Sequence, residues 1–284
     1  MILISGAGGK TGKAIIRRLL QRGAKIRALI HHADQQAELA AMGVKDVVCG
    51  DMRQPAFMFQ AAEGAEAIYH ICPNMNPDEL KIGRLVLDAA RSNGVKHFIY
   101  HSVLHPQAQQ MSHHLNKLKV ETEIFASGLN FTILQPTAYM QNIMAYWPRI
   151  ISDGVFAFPY AAETKLGLVD LEDVAEAAAK LIFEPGFKNG IYELVGTPAY
   201  SQIEIAQKIG SKLGKTVTVE TIPRTDWEEK ARKSGLSEFA IQTLLKMFIY
   251  YERYGMGGNP SVLGWILGRP PVTYGQFLDR ILAI

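Results

Sequence analysis

Three glycines, Gly6, Gly9 and Gly12, recur every third residue between an apolar run and an amphipathic one in "ILISGAGGKTGKAIIRRLLQRG". At this spacing the first glycine permits a tight turn, the second lets a diphosphate approach bare backbone, and the third lets a helix start pack on a strand. The N–H groups opening that helix then face the phosphates. Glycines also fall at this spacing in plain structural turns. What favours a dinucleotide here is the strand before, the helix after and the second strand at the right distance. Lys10 and Thr11 lie inside the loop. The second strand closes on His31 and His32, with no acid before Asp34, whereas NAD recognition asks for an acid on the ribose 2′-OH. Lys10 can reach a 2′-phosphate, so NADP(H) is favoured over NAD(H). Against this, neutral imidazole is a poor phosphate partner, and all three residues also suit a solvated loop. After the third strand, in "VVCGDM", the Asp51 carboxylate can accept from the adenine amino group, with Met52 beside it, or can simply close a turn.

Such a loop needs a sheet to hold it. Short runs rich in Val, Ile, Tyr or Phe predict strands over Met1–Ser5, Lys25–Ile30, Asp46–Cys49, Ala67–Cys72, His97–Leu104 and Asn130–Leu134. Apolar residues at helical spacing predict helices over Lys13–Gln21 and Glu79–Ser92. This alternation predicts an α/β fold, a doubly wound parallel Rossmann sheet, with ligands beyond the carboxyl ends of the strands. From about Asp153 the pattern changes to a smaller α+β substrate lobe. "LVDLEDVAEAAAKLIFEPG" is a helix capped by Asp170 and stopped at Pro185-Gly186, and the strand "GIYELVG" follows it. A helix over Ser201–Leu213, the strand "VTVETIP" and two more helices come next. The expected division is therefore residues 1–152 for the nucleotide domain and 153–284 for the lobe, with some sheet elements shared.

Composition bounds the partners. Of the 284 residues 48% are hydrophobic and 20% charged, and no apolar run approaches the ~18–20 residues that span a bilayer. No membrane partner is expected, and a strand at the first residues leaves no room for a cleavable signal. Cys49 and Cys72 lack any paired spacing, which fits reduced thiols and a cytoplasmic setting. A net charge of +3 without clustered basic residues implies no nucleic acid, and a basic pocket for an anionic ligand accounts for it equally well. Eight histidines raise the question of a metal. His97 and His101, however, lie ~13 Å apart along an extended strand, too far to share an ion at ~2 Å.

The glycine loop together with "YHSVLH", "HHLNKLKVETEIFASGLNFTILQPTAYMQN" and "LVDLEDVAEAAAKLI" resembles the NmrA-like group of atypical short-chain dehydrogenases/reductases, from Met1 to about Ile182. "ILGRPPVTYGQFL" is a weaker echo near the end. The resemblance implies that Gly6, Gly9 and Gly12 bind pyrophosphate and that Ile71, Cys72, Pro73 and Asn74 pass the riboses. It implies that Ser102 is the serine closing the fifth strand, that Lys117 is the lysine on the nicotinamide ribose, and that Gln135, Pro136 and Thr137 border the nicotinamide. It further implies that Tyr139, Gln141 and Asn142 face a substrate, and that the activity is either reductive or regulatory.

One departure stands out. Relatives in the wider superfamily carry YxxxK, whose lysine lowers the tyrosine pKa for proton transfer. Here His113 precedes Lys117 by four residues, one helical turn on the same face. Beside an ammonium the imidazole loses proton affinity and can accept or donate near neutrality; the commoner setting for His113 and His114 at a helix start is solvent. Tyr146, Trp147, Phe156 and Phe158 either wall an apolar acceptor pocket or pack the lobe core. The expected function is NADPH-dependent hydride transfer to a small planar, quinone-like or aromatic acceptor. The alternative is a redox-sensing regulatory protein, as a homodimer or with a protein partner, that binds the coenzyme without turnover.

Overall fold

The structure is a computed structural model that describes residues 1–283. β1 (Ile2–Ile4) is wholly buried, and α1 (Lys10–Gln21) follows it, laying Ala14, Ile15, Ile16 and Leu19 inward while Arg17 faces solvent. The same logic repeats through β2 (Ile26–Ile30), α2 (Gln35–Ala41), β3 (Asp46–Cys49), α3 (Pro55–Ala61), β4 (Ala67–His70), α4 (Glu79–Ser92), β5 (His97–His101), α5 (Ser112–Ala126) and β6 (Phe131–Pro136). Next come β7 (Ala138–Tyr139), α6 (Trp147–Asp153), β8 (Val155–Phe158), β9 (Leu168–Val169), α7 (Leu171–Phe183) and β10 (Gly190–Leu194). The chain then runs through α8 (Gln202–Leu213), β11 (Thr218–Thr221), α9 (Arg224–Lys233), α10 (Glu238–Tyr254), α11 (Pro260–Leu267) and α12 (Tyr274–Leu282). None of the described helices is long and apolar enough to cross a membrane.

A seven-stranded sheet runs in the order β10-β6-β5-β4-β1-β2-β3, with β1 parallel to both β2 and β4 and the pairs β2–β3, β4–β5 and β5–β6 parallel. This is the expected doubly wound α/β fold. The order reverses between β1 and β4, so the carboxyl ends of these two strands border the crevice where such sheets take ligands. Beneath one face Leu3, Leu29, Ile68, Phe98, Tyr100 and Ile133 meet Val86, Val120 and Ile124 from the covering helices in a dry core.

The chain divides into two compact units. The first comprises residues 1–107, 113–135 and 174–192; the second comprises 108–112, 136–173 and the chain from Glu193 onward. The units interleave, where a single cut after residue 152 was expected, because α7 and the start of β10 complete the sheet unit late in the sequence. The second unit has its own core, in which Ile143, Ile150, Phe156, Phe158, Ile209 and Phe277 pack together. Its strands β8 and β11 pair in parallel, as do β7 and β9.

In that unit Asp170 caps α7 as the sequence suggested. Its Oδ1 accepts the Glu172 N–H at 3.0 Å and the Gln141 amide at 2.7 Å, and its Oδ2 accepts Arg280 at 2.7 Å. Gln141 Oε1 in turn accepts the Leu171 N–H at 3.1 Å. Asp170 is fully buried. Removing it strands three donors at once, and Asp170→Ala should lower stability by about 3–5 kcal/mol in urea denaturation. Asp153→Ala, which removes only an exposed partner of Arg149, should cost less than about 1 kcal/mol. Equal losses would show that the Asp170 cluster adds nothing beyond a surface ion pair.

Candidate functional site

At the switch point the fold is tied by a residue that the sequence did not single out. Ser5, fully buried just after β1, accepts the Ile71 N–H on Oγ at 2.9 Å and lies 2.8 Å from His70 Nδ1. Gly6 then turns with φ +62°, and a Cβ there would stand 2.8 Å from the Ile71 carbonyl oxygen. A Cβ at Gly12 would lie 2.5 Å from the Gly6 oxygen and 2.8 Å from Ala7 Cα. Gly9 differs, since its Cβ would meet only the Gly6 oxygen, at 3.4 Å. Gly9 is also the N-cap of α1, which has no side-chain cap and no acid in its first turn. The positive end of the helix dipole therefore meets no counter-charge from its own first turn. Bare backbone beside that end fits an anionic diphosphate. Lys10 and Thr11 form the first turn of α1 within this cradle.

Just beyond β2 His31 and His32 are exposed, edge to face at 4.6 Å. Asp51, read either as an adenine contact or as a turn aspartate, closes the turn into Arg53. Arg53 grips it with its backbone N–H at 2.8 Å, Nε at 3.0 Å and Nη2 at 2.8 Å, and these hydrogen bonds hold the carboxyl down at about 2. Met52 and Cys72 are both packed into the core beneath the sheet, and burial raises the Cys72 thiol well above its ordinary value. Pro73 and Asn74 are exposed in the loop beyond β4, leaving them, rather than Cys72, on the ligand side. Met75 in that loop and His105 in the loop beyond β5 carry left-handed backbone, each with φ 52°, a strain typical of ligand-facing loops.

Lys117 projects from α5 to a buried carboxylate on α4. Its Nζ lies 2.6 Å from Glu79 Oε1, donates to the His101 carbonyl at 3.3 Å and stands 5.3 Å from the centre of the Tyr100 ring. One turn earlier His113 and His114 are both buried, which overturns the expectation of solvated histidines. His114 donates from Nδ1 to the His105 carbonyl at 3.0 Å, while His113 Nδ1 and His114 Nε2 have no hydrogen-bond partner. Burial first, then each other and Lys117, push His113 down to about 3. Both imidazoles are therefore neutral at pH 7. Ser102 closes β5 but is committed elsewhere: its hydroxyl donates to Glu121, which also accepts the Gln135 amide at 2.9 Å. Neither the Ser102 hydroxyl nor the Gln135 amide points at Lys117.

The candidates beyond β6 lie in the second unit. Pro136 is buried at the end of β6, and Thr137 donates to the Gly167 carbonyl at 2.9 Å. Tyr139 is half-buried and Asn142 exposed, whereas both amide atoms of Gln141 are engaged in bracketing Asp170 and the start of α7. Tyr146 sets its edge on Phe156 at 5.3 Å, and Phe156, Phe158 and Tyr160 continue a ladder at 4.8 and 4.9 Å. Phe156 and Phe158 are themselves core, whereas Tyr146 and Trp147, like Tyr160, are half-buried and keep some ring surface.

The family model described as the NmrA-like family matches residues 1–269. The chain belongs to the NmrA-like family. It is 26% identical over 280 residues to the NAD(P)H azoreductase of Xenophilus azovorans, covering 98% of this chain and 96% of that one. It is likewise 26% identical over 286 residues to quinone oxidoreductase 2 of Escherichia coli K12, covering 100% and 99%. Among solved structures, an NADPH-dependent quinone oxidoreductase from Escherichia coli complexed with NADPH superimposes with a TM-score of 0.87 at 26% identity, over 99% and 100% of the two chains. For an NmrA-like chain, the site is notable for what occupies the superfamily's tyrosine position. His113 stands there, and the nearby Tyr100 cannot serve instead, because it is fully buried, donates to Glu79 at 2.9 Å, and is raised far above its ordinary value by burial.

Proposed function

We propose that this NmrA-like protein is an NADPH-dependent oxidoreductase that reduces a small planar acceptor, a quinone or an aromatic dye. The observation that carries the reading is the cradle of Gly6, Gly9 and Gly12 at the unblocked start of α1, shaped for a diphosphate. The named relatives, an azoreductase and a quinone oxidoreductase, support the acceptor class. When bound, the nicotinamide coenzyme supplies the hydride. Gly6, Gly9, Lys10, Thr11 and Gly12 would hold its diphosphate, and His31, Asp51 with Arg53, and Lys10 would face its adenosine end. Lys10 and the exposed His31, with no acid closing β2, favour NADP(H) over NAD(H). Pro73, Asn74 and Lys117 would line the nicotinamide riboses.

A quinone that takes up hydride also needs a proton. His113, neutral at pH 7, can hold a carbonyl oxygen by a hydrogen bond but holds no spare proton, so the proton comes from solvent. Tyr139 and Tyr146 would contact the acceptor. The same placement of His113 favours a second reading, a coenzyme-binding regulatory protein without turnover.

Steady-state NADPH oxidation over a panel of quinones and dyes decides between the two. Turnover is expected, with kcat/KM lowered about 100-fold in Lys117→Met, and with His113→Phe losing roughly tenfold without a new pH dependence. Tight NADPH binding with no turnover on any acceptor would leave the regulatory reading. Calorimetric titration should give tighter binding of NADPH than NADH, and the reverse would overturn the role given to Lys10 and His31.

A further inference from the structure

Glu79 opens α4 and is only 2% exposed, yet nothing in the reading above uses it. In sequence it looks like an ordinary acid at a helix start. Its position follows from close helix packing. Gly83, one turn along α4, lies so near α5 that a Cβ there would come within 2.9 Å of the Val120 side chain. That approach brings Glu79 and Lys117, each about one turn from the crossing, into contact at 2.6 Å. The same carboxylate oxygen accepts the Tyr100 hydroxyl at 2.9 Å. A buried carboxylate is tolerated only where it is paired and hydrogen-bonded, and this one has both partners on a single oxygen.

We propose that Glu79 is the positioning residue of Lys117. It holds the ammonium in place with a 2.6 Å contact to its carboxylate, itself anchored by the Tyr100 hydroxyl. An ammonium has three N–H groups. One goes to Glu79 and one to the His101 carbonyl, which leaves a third to be aimed. Held by Glu79, Lys117 acts as an oriented donor. That third N–H suits a ribose hydroxyl, a step that rests on the proposed coenzyme site; the hold of Glu79 on Lys117 does not.

Other titratable groups face Lys117 from every side. His113, His114 and Glu121 share its helix, Tyr100 and His101 come from β5, and His70 and Cys72 from the end of β4. Burial keeps the imidazoles, the phenol and the thiol uncharged, and Glu121 is turned to Ser102 and Gln135. Glu79 is the carboxylate that bonds the ammonium.

The test labels the coenzyme-free protein with an amine-acetylating ester at pH 8 and reads each lysine by peptide mass spectrometry. In the unaltered protein Lys117, gripped by Glu79, should label far more slowly than exposed Lys119. In Glu79→Gln the Lys117 rate relative to Lys119 should rise about tenfold as the ammonium is released, with Glu79→Asp between the two. NADPH affinity, read by fluorescence titration, should fall about tenfold in Glu79→Gln. An unchanged relative rate in folded Glu79→Gln overturns the proposal. If that variant does not fold, Lys117 labelling as fast as Lys119 in the unaltered protein overturns it equally. A raised rate with unaltered NADPH affinity upholds the hold of Glu79 on Lys117 and refutes the coenzyme role of the lysine.

Discussion

Gly9→Ala should keep the fold's stability and lose the coenzyme, whereas Gly12→Ala should destabilise the fold as well. The two glycines sit one helical turn apart, yet the atoms around them differ in kind. At Gly9 a methyl meets ordinary contact, 3.4 Å from one oxygen, and the cost is that of alanine as a poorer helix cap, no more than about 1 kcal/mol. That methyl would occupy the face of the cradle. Losing two charge-assisted backbone contacts to a diphosphate, at about 2 kcal/mol each, lowers NADPH affinity roughly 100-fold or more.

At Gly12 the methyl would be driven to 2.5 Å from a backbone oxygen and 2.8 Å from a backbone Cα, and neither can swing aside as a side chain would. Alanine gains about 1 kcal/mol of helix propensity, but the forced backbone shift costs up to ~3 kcal/mol. A net loss of about 2 kcal/mol is expected. Calorimetric melting and NADPH titration on both variants check the pair. A Gly9→Ala protein that binds NADPH at full strength would show that the diphosphate does not rest on this turn.

The second large effect concerns acid. His70, His97, His101, His113 and His114 are all buried, and burial, reinforced by Lys117 or, for His97, by Lys188, depresses them to about 3 or about 4. An unfolded chain takes protons on these imidazoles near pH 6.5, well before the folded chain does. Stability is therefore full above pH 6.5 and lost as the pH falls from there toward the folded values. Each group costs about 1.4 kcal/mol per pH unit, so at pH 5 the five together cost on the order of 10 kcal/mol, as much as a whole domain's stability. Even half that sum should empty the native state near pH ~5.

Urea midpoints measured from pH 8 to pH 4.5 should hold level, then fall steeply below 6.5. His97→Gln removes one contributor, bonded to Thr132 at 2.8 Å, and should flatten the slope by about one fifth. A midpoint level between pH 7 and pH 5 would mean that these imidazoles are not held neutral.

The cradle was legible because it is local. Strand, glycines and amphipathic helix are contiguous, and the α4 boundaries, Glu79 to Ser92, match the periodicity at both ends. Where the reading slipped, longer-range packing decided. α1 starts at Lys10 rather than Lys13 because Gly12 lies inside the helix, pressed on the turn, and does not break it. β4 and β5 stop at His70 and His101 although apolar residues run on, because those residues turn into the loops that face the ligand side. The burial of His113 and His114 and the pairing of Glu79 with Lys117 depend on residues tens of positions apart. No short-range pattern separates a buried acid at a helix start from an exposed one. Ser5 and Arg53 escaped for the same reason, as each matters through a partner that folding alone supplies or aligns. The substrate face was the least legible part, because nothing near Gln141 in the sequence announces its bond to Asp170, 29 residues away.

The interleaving of the two units has a consequence for biosynthesis. When residue 135 leaves the ribosome the sheet unit still lacks the stretch 174–192, so a nascent chain must carry β6 with one flank unpaired while some forty residues of the other unit are translated. Such an open strand flank is a template for sticking to other chains. Slow translation or heat stress at that stage should make this protein a client of chaperones well before its last helix exists.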